Sequence, residues 1–84
     1  MSSLDLASLE FGDEGIIEQI NLPSEDAQRL MELGFLPGVL VSVKRGSPLG
    51  HTRVFRVAGS EFALRYETAS KIIVQKNDTL KENE

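Results

Sequence analysis

The chain has 84 residues, no cysteine, and a formal charge of -4 from 13 acidic and 9 basic side chains. A chain of this size buries only about 60–65 % of the surface its unfolded form exposes, which leaves room for one compact core and none for a separate catalytic domain. The absent cysteines exclude disulfide staples and thiolate metal sites, and the net acidity opposes the counterion release that drives most nucleic-acid binding, so neither DNA nor RNA is an expected partner.

The first ten residues carry Asp5 and Glu10 and no basic side chain. A secretory signal needs a basic start and an unbroken apolar stretch. No window approaches the roughly 20 apolar residues of a membrane span. The expectation is a cytoplasmic protein with no direct membrane insertion.

Leu4, Leu6 and Leu9 lead into Phe11-Gly12-Asp13-Glu14-Gly15, a turn-rich stretch whose two glycines can take positive φ. Residues 16–21 read as a first strand. Its apolar residues at 16, 17 and 20 alternate imperfectly, which fits a β-bulge as well as a strand buried at one end. Leu22-Pro23-Ser24 ends that strand and starts a helix over residues 24–33. Ser24 is placed to accept from a free first-turn amide, Glu25 and Asp26 sit at the positive end of the dipole, and Ala27, Leu30, Met31 and Leu33 form an apolar stripe. Gly34 falls where a left-handed residue closes a helix, which sets Phe35 against Leu30 in a Schellman close.

Pro37-Gly38 fits the centre of a type II turn and feeds a strand in which Val39, Val41 and Val43 face the core while Leu40, Ser42 and Lys44 face away. Gly46-Ser47-Pro48-Leu49-Gly50-His51 is a loop. Over residues 53–65, a two-residue Gly59-Ser60 turn sets Val57 opposite Phe62 and Phe55 opposite Leu64. All four then share one face, with Arg56, Glu61 and Arg65 on the other. Residues 66–71 read as a single helical turn and 72–74 as a closing strand. The domain is expected over residues 1–75, and residues 76–84 are polar enough for a disordered tail. The fold class is mainly β: five short strands, one inserted α-helix and a short C-terminal helical turn suit a small closed barrel, which removes exposed sheet edges.

Side-chain chemistry gives no catalytic residue. His51 is the single histidine, with no Cys and no Ser-His-Asp setting, and no glycine-rich loop ends in Lys-Ser or Lys-Thr to cradle phosphates. Asp13-Glu14 and Glu25-Asp26 are adjacent pairs whose carboxylates diverge on a strand or helix, so no metal site and no cofactor is expected. Arg53, Arg56 and Arg65 are placed to share the outer face of the hairpin. Without interleaved aromatics, that face reads as solvated and locally paired rather than as a strand-binding surface. With no Trp and one Tyr, there is no aromatic ridge for a Pro-rich peptide. What remains is apolar material the core need not consume: Met31 and Leu36 near the helix end, Pro48 and Leu49 in the long loop. These four are the expected partner-binding residues, with plugging of the barrel ends as the competing use of Leu36 and Leu49.

The runs Arg-Leu-Met-Glu-Leu-Gly-Phe-Leu-Pro-Gly (29–38), Ser-Pro-Leu-Gly (47–50) and Val-Ala-Gly-Ser-Glu-Phe-Ala-Leu-Arg-Tyr-Glu-Thr-Ala (57–69) occur in an order that resembles the FeoA family, the small cytoplasmic component of bacterial ferrous-iron uptake. The resemblance spans more than half of the chain. It implies an SH3-like barrel and a non-catalytic accessory role. It also implies a partner, a membrane ferrous-iron transporter with a cytoplasmic GTPase domain (FeoB-like), which would bring the protein to the inner face of the membrane. Transition-metal binding attaches to the family and to no residue here. The same barrel resembles the C-terminal domain of metal-dependent DtxR-type repressors, so a stand-alone regulatory module is the alternative. Because that resemblance starts within the first twenty residues, a winged-helix part is not expected in this sequence, and the alternative would require a separate partner chain. Neither the docking face nor the oligomeric state follows from these residues.

Overall fold

A computed structural model describes residues 3–46 and 51–77. Along the chain come β1 (Ser3–Asp5), a 3-10 turn (Leu6–Ser8), β2 (Glu14–Ile20), α1 (Ser24–Leu33), β3 (Leu40–Gly46), β4 (Thr52–Val57), β5 (Ser60–Arg65), α2 (Tyr66–Ala69) and β6 (Ile72–Lys76). All ladders are antiparallel, in the order β1-β6-β2-β3-β4-β5. The sheet therefore has six strands rather than the expected five. Among the described residues no ladder joins β1 to β5, so its hydrogen bonding is open rather than closed into a barrel. The strand that sequence reading missed is β1. Three residues are too few to show alternation, and its partners, Gln75, Val74 and Ile73, lie at the far end of the chain.

The sheet wraps one core. Leu6, Leu9, Ile17, Phe35, Val41, Phe55, Ile72 and Val74 are all essentially inaccessible. Removing each such side chain from water contributes about 1.5–3 kcal/mol. The valine alternation of β3 holds: Val41 and Val43 are buried, Val39 packs on the core, and Leu40 is exposed. The broken alternation of β2 resolves as a bulge against β6 between Ile17 and Gln19. Gly15 does not take positive φ but lies buried in β2, where an added Cβ would meet Val74 Cγ2 at 3.0 Å. A side chain there would press on Val74, which would have to give by a few tenths of an ångström.

The helix spans the expected residues, with a different start. Pro23, at φ -54 and ψ 150, is the N-cap, and its carbonyl takes the Ala27 amide at 2.9 Å. Ser24 is thus already helical and makes no capping bond. The close is the expected one. Gly34 sits at φ 113, its amide donates to Met31 O at 3.0 Å, and the Phe35 amide donates to Leu30 O at 3.1 Å. Gly38 at φ 91 and the Val39 amide on Leu36 O at 3.0 Å complete the type II turn.

The β4–β5 hairpin keeps the expected faces and shifts the expected register. Phe55 pairs with Phe62, Arg56 with Glu61 and Val57 with Ser60, so the turn residues are Ala58 and Gly59, not Gly59 and Ser60. Both have positive φ, 53 and 83, as a type I′ turn demands. A shift of two residues preserves the side-chain alternation, which is why facial patterning alone did not expose it. Lys76 ends β6, and the Asn77 amide donates to Glu14 O at 2.9 Å, so these two residues belong to the fold rather than to the expected tail. Residues 78–84 lie outside the described residues.

Candidate partner-docking site

On α1, only Ala27 and Leu30 turn fully into the core. Met31 and Leu33, expected on the same apolar stripe, are 38 % and 41 % exposed, and Leu36 just beyond the helix is 42 % exposed. The two described members of the expected partner set, Met31 and Leu36, are therefore both available on the surface. Pro48 and Leu49 lie outside the described residues. Leu36 opens the type II turn rather than plugging an end of the fold.

Two shallow grooves flank this corner. One, of about 290 Å³, runs between α1 and β5 and is lined by Leu22, Asp26, Arg29, Leu30, Leu33, Leu64 and Thr68. Its floor is leucine and its rim carries one charge of each sign. The other, of about 540 Å³, lies on the outer face of β3 and β4 and includes Leu40, Lys44, Arg56 and Ala58. Leu40 was missed as a candidate. Its signal was present in the sequence, since valines pointing inward at 39, 41 and 43 force the residue at 40 outward. Between the grooves, the helix close meets the hairpin tip: a Cβ on Gly34 would lie 3.2 Å from the Ala58 Cβ.

The three arginines do not share a face. Arg56 and Arg65 lie on the outer side of the hairpin, whereas Arg53 pairs with Leu64 and points inward beside Phe55. Its Nη1 donates to the carbonyls of Ala7, at 3.2 Å, and Leu9, while its guanidinium carbon lies 5.5 Å from the Tyr66 ring centre. Arg53 thus fastens the 3-10 turn, next to β1, onto the opposite end of the sheet. It has a structural task rather than a surface one. Among the described residues, Asp13 is a buried charged side chain: it accepts from the Glu10 amide at 3.0 Å and lies 3.5 Å from Lys76 Nζ. Among the described residues, no three His, Cys, Asp or Glu side chains come together as a metal-holding group. No helix among them is long and apolar enough to cross a membrane.

With this geometry in place, comparisons with known proteins agree on one family. A Porphyromonas gingivalis protein named as an Fe(2+) transport protein A/Fe(2+) transporter FeoB fusion is 30 % identical over 70 residues, which are 83 % of this chain and 8 % of that protein. The chain therefore corresponds to a small fraction of the relative's length. The crystal structure of Stenotrophomonas maltophilia FeoA, described as a zinc complex of an SH3 domain protein, superposes with a TM-score of 0.74 at 30 % identity, covering 86 % of this chain and 89 % of that one. That likeness gives the curled sheet its class, SH3-like. A manganese-dependent transcriptional repressor superposes with a TM-score of 0.82 at 14 % identity, over 92 % of this chain and 42 % of the repressor, a likeness of fold alone. The FeoA domain pattern itself matches residues 4–76, nearly everything the structure describes, and the chain belongs to the FeoA domain family.

Proposed function

We propose that the protein is a non-catalytic accessory of ferrous-iron transport that docks on the cytoplasmic GTPase-bearing part of a FeoB-like membrane transporter. The observation that carries this reading is the Porphyromonas gingivalis relative, in which a segment similar to this chain is joined to FeoB in one polypeptide. Covalent fusion raises the effective concentration of two modules, and it suits modules that act on each other. The exposed corner formed by Met31, Leu33 and Leu36 is the docking surface, supported by three large apolar side chains exposed within six residues. One face of about 600–800 Å² per partner is enough for a specific contact of the smaller kind.

The test is titration of the purified transporter domain with the parent protein and with Leu36→Asp. Leu36 is well exposed, so the variant should melt like the parent and bind more weakly by about 2 kcal/mol or more, the level of an interface hot spot. Equal affinities with equal melts would remove this corner as the docking face. Failure of the parent protein to bind would remove the docking role itself.

A further inference from the structure

We infer that α1 pairs with α1 of a second copy, antiparallel about a two-fold axis, through the stripe Leu22, Asp26, Arg29 and Leu33. All four residues line the groove between α1 and β5. Their four-three-four spacing is that of a helix-packing seam, and Leu22, just ahead of the Pro23 cap, carries the seam one position past the helix start. The seam lies beside the buried stripe of the helix. Ala27 and Leu30 turn into the core, whereas Asp26, Arg29 and Leu33 are exposed and Leu22 is half-buried.

The order of the side chains selects the occupant. A leucine stands at each end, with one charge of each sign between them. When two copies of the stripe run antiparallel with the axis between residues 26 and 29, Asp26 of each copy falls opposite Arg29 of the other. Leu22 of each copy then falls opposite Leu33 of the other. The pattern is self-complementary, as a two-fold interface requires. A parallel pairing instead sets Asp26 on Asp26 and Arg29 on Arg29, and like charges disfavour it. Among the described residues no ion pair holds Asp26 or Arg29 within the chain, so both charges are available across the axis. Glu25 and Glu32 flank the seam on its solvent side, where salt screens their repulsion.

A helix of ten residues is only about 15 Å long, so the contact falls below the size of a standard interface and the dimer is weak. Leu33 also belongs to the docking corner, and a dimer withholds it from the transporter. By the 3.6-residue turn, Met31 lies on the far side of the buried stripe and stays exposed. The pairing uses this chain alone and does not depend on the docking reading.

Sedimentation of the whole chain as a function of concentration tests the inference. The parent should move toward twice the monomer mass as concentration rises to about 1 mM. Asp26→Lys alone sets cation against cation in both charge pairs, and Arg29→Glu alone sets anion against anion, so each should weaken self-association by about tenfold. An equimolar mixture of the two variants restores opposite charges in both pairs and should associate as the parent does. Both positions are exposed, so circular dichroism melts of the variants should stay close to the parent's. Met31→Glu, away from the seam, should leave association unchanged. A parent that stays monomeric to about 1 mM overturns the proposal. So does a single variant that associates as the parent does, a mixture no tighter than its components, or a Met31→Glu variant weakened as much as Arg29→Glu.

Discussion

The corner after α1 and the segment before β2 both bring the chain back onto the sheet, and they are held by bonds of opposite reach. Between α1 and β3, the Phe35 amide finds Leu30 O, the Gly34 amide finds Met31 O and the Val39 amide finds Leu36 O, all within a few residues. The N-terminal segment is held from far along the chain. β1 pairs with β6, Arg53 reaches the Ala7 and Leu9 carbonyls, and Lys76 lies beside Asp13. The first corner can form as soon as its own residues are present, because glycine and proline set its backbone. The second has no reason to exist until β4 and β6 are in place.

Both regions nevertheless deliver fully buried side chains, Phe35 from the local corner and Leu6 from the remote one, each at 0 % exposure. Phe35→Ala should cost about 3–5 kcal/mol and Leu6→Ala about 2–5 kcal/mol, either one a large part of the stability of so small a domain. Urea melts measure both. A loss below about 1 kcal/mol for Leu6→Ala would mean that the N-terminal segment lies on the fold without sharing its core.

Arg53 sharpens the comparison. Its Nη1 serves two carbonyls at the 3-10 turn and its guanidinium stacks on Tyr66, but its Nε is buried without a partner. Arg53→Met keeps most of the stem and leaves both carbonyls without this donor. The expected loss is about 1–3 kcal/mol, since bonds from a charged donor exceed neutral ones and stranded acceptors carry a desolvation cost. Amide exchange should rise most in residues 3–13, while the amides of Gly34 and Phe35 follow only the global change. Uniform acceleration throughout the chain would show that the two regions open as one unit.

The same division decides what could be read from the sequence. The extent of α1, its Schellman close, the Pro37-Gly38 turn and the inward valines of β3 were all legible, because each depends on a few consecutive residues. The β1 strand and the inward arginine were not. A three-residue strand carries no period, and Arg53 looks like any alternating hairpin charge until the 3-10 turn arrives beneath it. The hairpin register failed for an intermediate reason. Ala58 is a poor sequence signal for a left-handed turn position, so Gly59-Ser60 was the better local reading, whereas the chain turns at Ala58-Gly59 and pairs Phe55 with Phe62. Of the docking candidates, Met31 and Leu36 were singled out for lying at the helix end, and both are exposed. Leu40 was overlooked although the same alternation that buried the valines exposed it.

The smallest expected effects lie where the local corner touches the hairpin tip. Ala58 holds φ 53, a left-handed conformation that disfavours any Cβ, and its Cβ faces the bare Cα side of Gly34. Gly34→Ala meets two obstacles, φ 113 and a 3.2 Å approach to the Ala58 Cβ, and should cost about 1–2 kcal/mol. Ala58→Gly removes the strain at the turn but frees the unfolded chain as well, so the net gain should be only a few tenths to about 1 kcal/mol. The two sites are coupled through a shared space. Once residue 58 lacks a Cβ, only the backbone obstacle at residue 34 remains, so Gly34→Ala in the Ala58→Gly background should cost less than it does alone, by about 0.5 kcal/mol. A double-mutant cycle from thermal melts reads that difference directly. Strict additivity would show that the helix close and the hairpin tip tolerate a second methyl without contact, and that the α1 corner is as independent of the sheet as its short hydrogen bonds suggest.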